Sequence, residues 1–282
     1  QPIPKLLRDI AIPASTGMFF NTMYNIVDTF YAGLISTEAL AGLSLSFTFF
    51  FIIIGMGYGF SSAIIALIGN AMGARKRLLA TIYAHKGVVF IPLLGVFLTI
   101  IGYFFAPKMF IFLGASGTYL QVTTDYMNII LYGTIFFMFN FALNAILVSR
   151  GDTKTYRNTL IFGFFANLLL NPLFIYGFWI IPAMGVKGLA LATVLIQFIN
   201  MFYMLKKVME TDLIHFNKLA YFLPNMRIYK TILQQGYPAS LNMLTMSIGS
   251  LILMYYVSTY GYEAVAGYGI GFRVEQIMLL PA

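Results

Sequence analysis

The chain has 282 residues, of which 60% are hydrophobic and 9% charged, with a formal net charge of +8. Soluble domains carry about 25% charged residues, so this composition excludes a surface facing water and makes the lipid bilayer the solvent for most of the chain. The basic residues are interspersed with long apolar runs, which excludes a nucleic-acid partner. The absence of cysteine excludes disulfides and thiolate chemistry, and two histidines leave no material for a histidine-rich metal centre.

A helix needs about 20 apolar residues to cross a bilayer. Backbone polar groups in lipid must be satisfied internally, so such runs are expected as helices. In chain order the spans are expected near 10–34, 42–70, 83–106, 122–148, 158–178, 188–206 and 237–257, with an eighth beginning near 265 and cut off at Pro281 and Ala282. The alternation of a membrane β-barrel is missing, since residues 49–54 are apolar on every side. The first stretch is too long for a signal-peptide core and no small-residue cleavage site ends it, so it is expected to remain as a true span. The expected fold class is all-α, a polytopic membrane protein.

Lys and Arg in the short connections set the orientation. With the amino terminus cytoplasmic, the inner segments hold Lys5 and Arg8, then Arg75, Lys76, Arg77 and Lys86, then Arg150, Lys154 and Arg157, and last Lys206, Lys207, Lys218, Arg227 and Lys230. The outer segments hold only Lys108 and Lys187, while Arg273 falls within the eighth span. The positive charge is thus a record of topology.

The longest polar connection, 207–234, carries Glu210, Asp212, His215, Lys218 and Arg227 and is expected to link two halves. Residues 13–47 align on 238–272 without a gap. Pro13-Ala14-Ser15 meets Pro238-Ala239-Ser240, Met18 and Tyr31 meet Met243 and Tyr256, and Glu38-Ala39, Ala41-Gly42 and Phe47 meet Glu263-Ala264, Ala266-Gly267 and Phe272. Span 1 therefore matches span 7, and six helices make one half. Both copies enter from the cytoplasm, which is the parallel repeat of many transporters, with the substrate site between the halves near the midplane. The expected organisation is a six-helix bundle over 1–206, a cytoplasmic linker over 207–234 and the start of a second bundle over 235–282. The chain is accordingly expected to be an N-terminal portion of a longer protein.

Most acids lie at the membrane edges. Asp9, Glu38, Asp125, Asp152, Glu210, Asp212 and Glu263 sit near loops or helix ends, where solvated or capping roles are expected. Asp28 and Glu275 lie deeper. A charged acid at mid-bilayer costs at least ~2.5–3.5 kcal/mol on insertion scales, so intramembrane acids face a bundle interior and serve a function. At helical spacing Asn21, Tyr24, Asn25, Asp28 and Tyr31 form a polar stripe on one face of span 1. Such a stripe can hold a proton or a small cation: burial disfavours the carboxylate, a neighbouring cation favours it, and an exchanger needs that competition. Glu275, two residues after Arg273 and off its helical face, is expected to pair with another helix.

Five stretches in order resemble the multidrug and toxic compound extrusion (MATE) family, and its DinF-like branch in particular. They are Asn25-Ile26-Val27-Asp28-Thr29-Phe30-Tyr31-Ala32-Gly33, Gly69-Asn70-Ala71-Met72-Gly73-Ala74, Arg150-Gly151-Asp152-Thr153-Lys154-Thr155, Asn167-Leu168-Leu169-Leu170-Asn171-Pro172 and Gly185-Val186-Lys187-Gly188-Leu189-Ala190-Leu191-Ala192-Thr193. The resemblance implies twelve helices in two bundles of six, and a monomeric secondary antiporter of the cell inner (plasma) membrane. It would expel small-molecule drugs, organic cations or other amphiphiles in exchange for H⁺ or Na⁺, with no cofactor.

The resemblance also implies that Asn167, Asn171 and Thr193 join Asp28 in a cation-coupling site. The family often carries an aspartate at the position of Asn171. One carboxylate with neutral oxygens is a weaker Na⁺ cage, so H⁺ is the expected coupling ion, with Na⁺ at Asp28, Asn167 and Asn171 as the alternative. Tyr132, Asn140 and Asn144 in span 4 are further candidates for the polar network. In the repeat Asp28 meets Leu253, and Met246 stands where the NorM-like branch tends to carry a glutamate, so the acid belongs to the first half alone. Pro13 and Pro238 each sit near the inner end of a span, where a proline removes a backbone bond and bends the helix. Protonation of Asp28 is expected to let span 1 rebend and displace drug.

Three other classes compete: a flippase, an enzyme, and a structural or sensory membrane protein outside transport, which would not need an isolated mid-membrane acid. A lipid-linked oligosaccharide flippase of the same superfamily should show a cationic cavity to meet a pyrophosphate, whereas intramembrane Lys and Arg are nearly absent. A membrane-embedded enzyme would need a His pair, an acid pair at ligand spacing or a nucleophile with a partner histidine, and the sequence offers none.

Overall fold

A computed structural model describes residues 3–214 and 221–278. The chain forms eight helices: α1 (Ile3–Ile35), α2 (Thr37–Gly73), α3 (Arg77–Phe112), α4 (Gly117–Ser149), α5 (Lys154–Tyr176), α6 (Val186–Met209), α7 (Met226–Ser258) and α8 (Tyr262–Met278). Each overlaps the span expected in its place. The side chains of Lys5, Arg8 and Asp9, together with His215, Lys218, Pro281 and Ala282, lie outside the described residues. Helices α2 to α7 are each long and apolar enough to cross a membrane. In α1 the apolar run is diluted by Asn21, Asn25 and Asp28, the residues that carry its chemistry.

The helices run past the apolar spans because their end turns are amphipathic. The clearest case is α7, which begins at Met226, inside the stretch expected as a connection to 234. Asn225 caps it, its side-chain oxygen accepting the backbone N–H groups of Arg227 at 3.1 Å and Ile228 at 3.3 Å. Tyr229 and Ile232 are buried on one face while Arg227 and Lys230 dilute the hydropathy on the other. Helix α6 likewise continues to Met209, so the connection from α6 to α7 covers 210–225.

That connection is anchored where it is described. Lys86, expected among the solvated inner cations, is instead buried and donates to the Leu223 carbonyl. The rings of Tyr221 and Phe222 stand 5.3 and 4.8 Å from that of the neighbouring His85.

Helices α1, α5, α6, α4 and α2 close a ring in that order, and α3 packs outside on α2 and α4. Helix α7 lies along α2, and α8 packs on α2 and touches α1. Small residues set these approaches, as expected where lipid offers no hydrophobic drive between helices. A side-chain carbon added at Gly59 of α2 would lie 2.5 Å from the Ser240 backbone nitrogen of α7, and one at Gly102 of α3 would lie 2.4 Å from Leu131 of α4. Large apolar side chains such as Phe104, Phe105, Phe112 and Leu169 point outward, as lipid-facing surface requires.

The alignment that sets 13–47 on 238–272 puts Thr37, the first residue of α2, on Tyr262, the first residue of α8.

Candidate functional site

Asp28 lies about two turns from the end of α1 with 2% of its surface exposed. The ring of helices turns it toward α5 and α6. Asn167 and Asn171 are one turn apart on α5 and share a face, so both amides reach the same carboxylate oxygen. Asn167 Nδ2 donates to Asp28 Oδ1 at 2.8 Å, Asn171 Nδ2 donates to it at 2.9 Å, and Asn171 Nδ2 also donates to Asn167 Oδ1 at 3.1 Å. Thr193 of α6 donates to the other oxygen, Oδ2, at 3.5 Å, while its own hydroxyl oxygen accepts from the Tyr24 hydroxyl at 2.9 Å. Asn167 and Asn171 have no solvent exposure. Three helices thus converge on one carboxylate, and hydrogen bonds to a carboxylate are shorter and stronger than neutral ones. Asn171 Oδ1 is buried without a hydrogen-bond partner among the described residues, leaving an acceptor free beside the acid.

Asp28 opens onto a cavity of about 630 Å³ lined by α1, α2, α4, α5, α6 and α8. Asn21, Tyr24 and Asn25 of the polar stripe share its wall. Tyr31, expected in the stripe, does not reach the cavity; it lies beyond Asp28 toward the α1–α2 turn and packs against the apolar core. The prolines sit within unbroken helices, Pro13 in α1 and Pro238 in α7.

The three candidates on α4 separate. Asn140 lines the cavity and donates to the side-chain oxygen of Gln197 at 2.8 Å and to its backbone carbonyl at 3.0 Å. Asn144 is half-buried and is absent from the lining. Tyr132 faces outward with 66% exposure and takes no part in the polar network. Eight residues of helix rotate it about 80° from Asn140, enough to leave the inner face.

Arg273 of α8 is the residue that sequence reasoning passed over. It is 7% exposed, lines the cavity, and its guanidinium carbon sits 3.9 Å from the centre of the Phe47 ring. The expectation of a cavity nearly free of cations is corrected by this side chain. An arginine inside a span was itself the signal. Glu275, expected to pair across helices, is exposed and forms no ion pair among the described residues. Gln197, Tyr126 and Gln276 are further polar lining residues outside the expected set.

Asp125, Asp152 and Asp212 behave as edge residues. Asp152 accepts the Thr155 backbone N–H at 3.0 Å at the start of α5. Asp125 near the start of α4 stands 3.3 Å from Lys187 at the start of α6, and Arg150 stands 3.7 Å from Asp212 at the opposite ends of those helices.

Comparison with known proteins places this geometry. Residues 13–173 match the family model described as MatE. The chain is 30% identical over 253 residues to the probable multidrug resistance protein YoeA of Bacillus subtilis (strain 168), covering 88% of this chain and 54% of that protein. It is 26% identical to the FAD transporter of Shewanella oneidensis, covering 99% of this chain and 62% of the relative. Among solved structures, an inward-facing multidrug resistance MATE family transporter of the MOP superfamily superposes with a TM-score of 0.83 at 29% identity, over 93% of this chain and 59% of that one. The chain therefore spans less than two thirds of the length of the proteins it matches.

Proposed function

The chain belongs to the MatE family, and from that membership we propose that it forms the first bundle and the opening of the second in a secondary multidrug efflux antiporter. The single observation that carries the reading is the buried Asp28 carboxylate, held by Asn167, Asn171 and Thr193 on the wall of a drug-sized cavity. A coupling ion that binds at Asp28 changes the charge of that wall, and so changes what the cavity holds.

The single carboxylate supports H⁺ over Na⁺: the side chains that hold Asp28 are the neutral Asn167, Asn171 and Thr193, and one carboxylate with neutral oxygens is a weaker Na⁺ cage than two.

The cavity supports loading from the cytoplasm. Its lining on α5 and α6 includes Tyr156, Thr159, Asn200 and Met204, which lie in the halves nearest the basic ends at Lys154, Arg157, Lys206 and Lys207. With the basic ends inside, the cavity approaches the side from which an exporter takes its cargo. In the proposed cycle, protonation removes the buried charge at Asp28, α1 rebends at Pro13, and the cavity releases drug outward.

The test is drug exchange in proteoliposomes under an imposed pH gradient or an imposed Na⁺ gradient. Uptake driven by the pH gradient alone is the expected result. Exchange driven only by Na⁺ contradicts H⁺ coupling, and exchange driven by neither contradicts antiport.

A further inference from the structure

We propose that Arg273 makes the cavity a receptor for aromatic amphiphiles that carry an anionic group, the guanidinium holding a carboxylate or phosphate while the rings of Phe47, Phe50, Phe51 and Phe137 take the aromatic body. The inference rests on the cavity being the transport chamber, and it narrows the class of cargo.

A guanidinium stays charged at every physiological pH, and a buried charge without a partner is costly. Arg273 is more than nine-tenths buried, and no carboxylate forms an ion pair with it among the described residues. Asp28 borders the same cavity and its charge acts on Arg273 through space, but no N–H···O contact joins the two, and Asp28 accepts instead from Asn167, Asn171 and Thr193. The guanidinium carbon sits over the Phe47 ring, and no oxygen among the described residues accepts a hydrogen bond from the guanidinium N–H edges. Those edges form a planar fork that matches a carboxylate or phosphate bidentately.

The rings beside the fork form a continuous aromatic wall. Phe47 lies 6.2 Å from Phe50 and 6.0 Å from Phe51, and Phe50 lies 5.1 Å from Phe137. All four rings line the cavity with Arg273. A monocation at this end would meet Arg273 as a like charge, whereas an anionic or zwitterionic ring compound would neutralise it. In the repeat Arg273 stands where α2 has Thr48, so the second half contributes a charge that the first half lacks.

The test is binding of 2-naphthoate and 2-naphthylmethylammonium, which share a ring and differ in charge, to the full-length protein in nanodiscs. Wild type should bind the naphthoate more tightly than the ammonium. Arg273→Gln should weaken naphthoate at least ten-fold and leave the ammonium unchanged or tighter, and Arg273→Lys should recover part of the loss. The comparison within wild type, and the lysine variant, keep the test decisive if the glutamine variant does not fold. Tighter binding of the ammonium to wild type, naphthoate affinity indifferent to Arg273→Gln, or binding of neither probe overturns the inference. The transport reading fails separately: exchange driven by neither gradient removes antiport, while a naphthoate loss in Arg273→Gln would still stand as an anion site.

Discussion

Asn171 donates to the same Asp28 oxygen that Asn167 already occupies, at 2.9 Å against 2.8 Å. A hydrogen bond to a charged group contributes about 1.5–3 kcal/mol. Replacing Asn171 by Leu removes it and leaves Asn167 as the only amide donor on Asp28, so gradient-driven export should fall about ten-fold, the equivalent of about 1.4 kcal/mol. Export rates of the variant against wild type check this; an unchanged rate would separate Asn171 from coupling.

On α4 the side chains predict opposite outcomes. Asn140→Leu removes both bonds to Gln197 and leaves that amide facing the cavity without its donor. The expected destabilisation is about 1–3 kcal/mol, with a lower melting temperature and weaker drug binding. Tyr132→Phe, on the exposed face, should leave both quantities unchanged. A loss of drug binding in Tyr132→Phe would place that side chain back in the polar network.

Gly59 is a packing point between α2 and α7. A methyl group there would collide with the backbone of Ser240, which is not a flexible side-chain end that could yield. Overpacking of this kind costs about 1–3 kcal/mol, so Gly59→Ala should lower the melting temperature in detergent. Gly69→Ala, where a side-chain carbon meets no neighbouring atom within 4 Å, is the matched control. Equal melting temperatures for the two variants would contradict the close α2–α7 contact.

Pro13 interrupts backbone bonding inside α1, on the helix that carries Asp28. Pro13→Ala restores a donor and stiffens the bend. If α1 rebends during the cycle, turnover should fall several-fold while equilibrium drug binding is retained. Stopped-flow export and binding on the same preparation separate the two, and undiminished turnover would remove the hinge from the mechanism.

The helices were legible because apolar length is a local property of sequence, and the break between α1 and α2 recurs in register between α7 and α8. The start of α7 was not, since its first turns bury Tyr229 and Ile232 on one face only and read as polar overall. Asp28 stood out because charge is scarce. Its partners Asn167, Asn171 and Thr193 were found through family resemblance, since spacing alone pairs only the two asparagines. Tyr132 was misplaced because a membrane helix that is apolar all round gives no amphipathic signal to orient its faces. Arg273 was missed because its aromatic partner, Phe47, is distant in the chain and joins it only when α8 packs on α2.

The most direct measurement of the central claim is pH-driven drug exchange in proteoliposomes, wild type against Asp28→Asn. The variant keeps the shape of the site and cannot change charge. Loss of gradient-driven exchange with drug binding retained is the predicted result. Exchange at the wild-type rate in the variant would contradict the role of Asp28 as the coupling group.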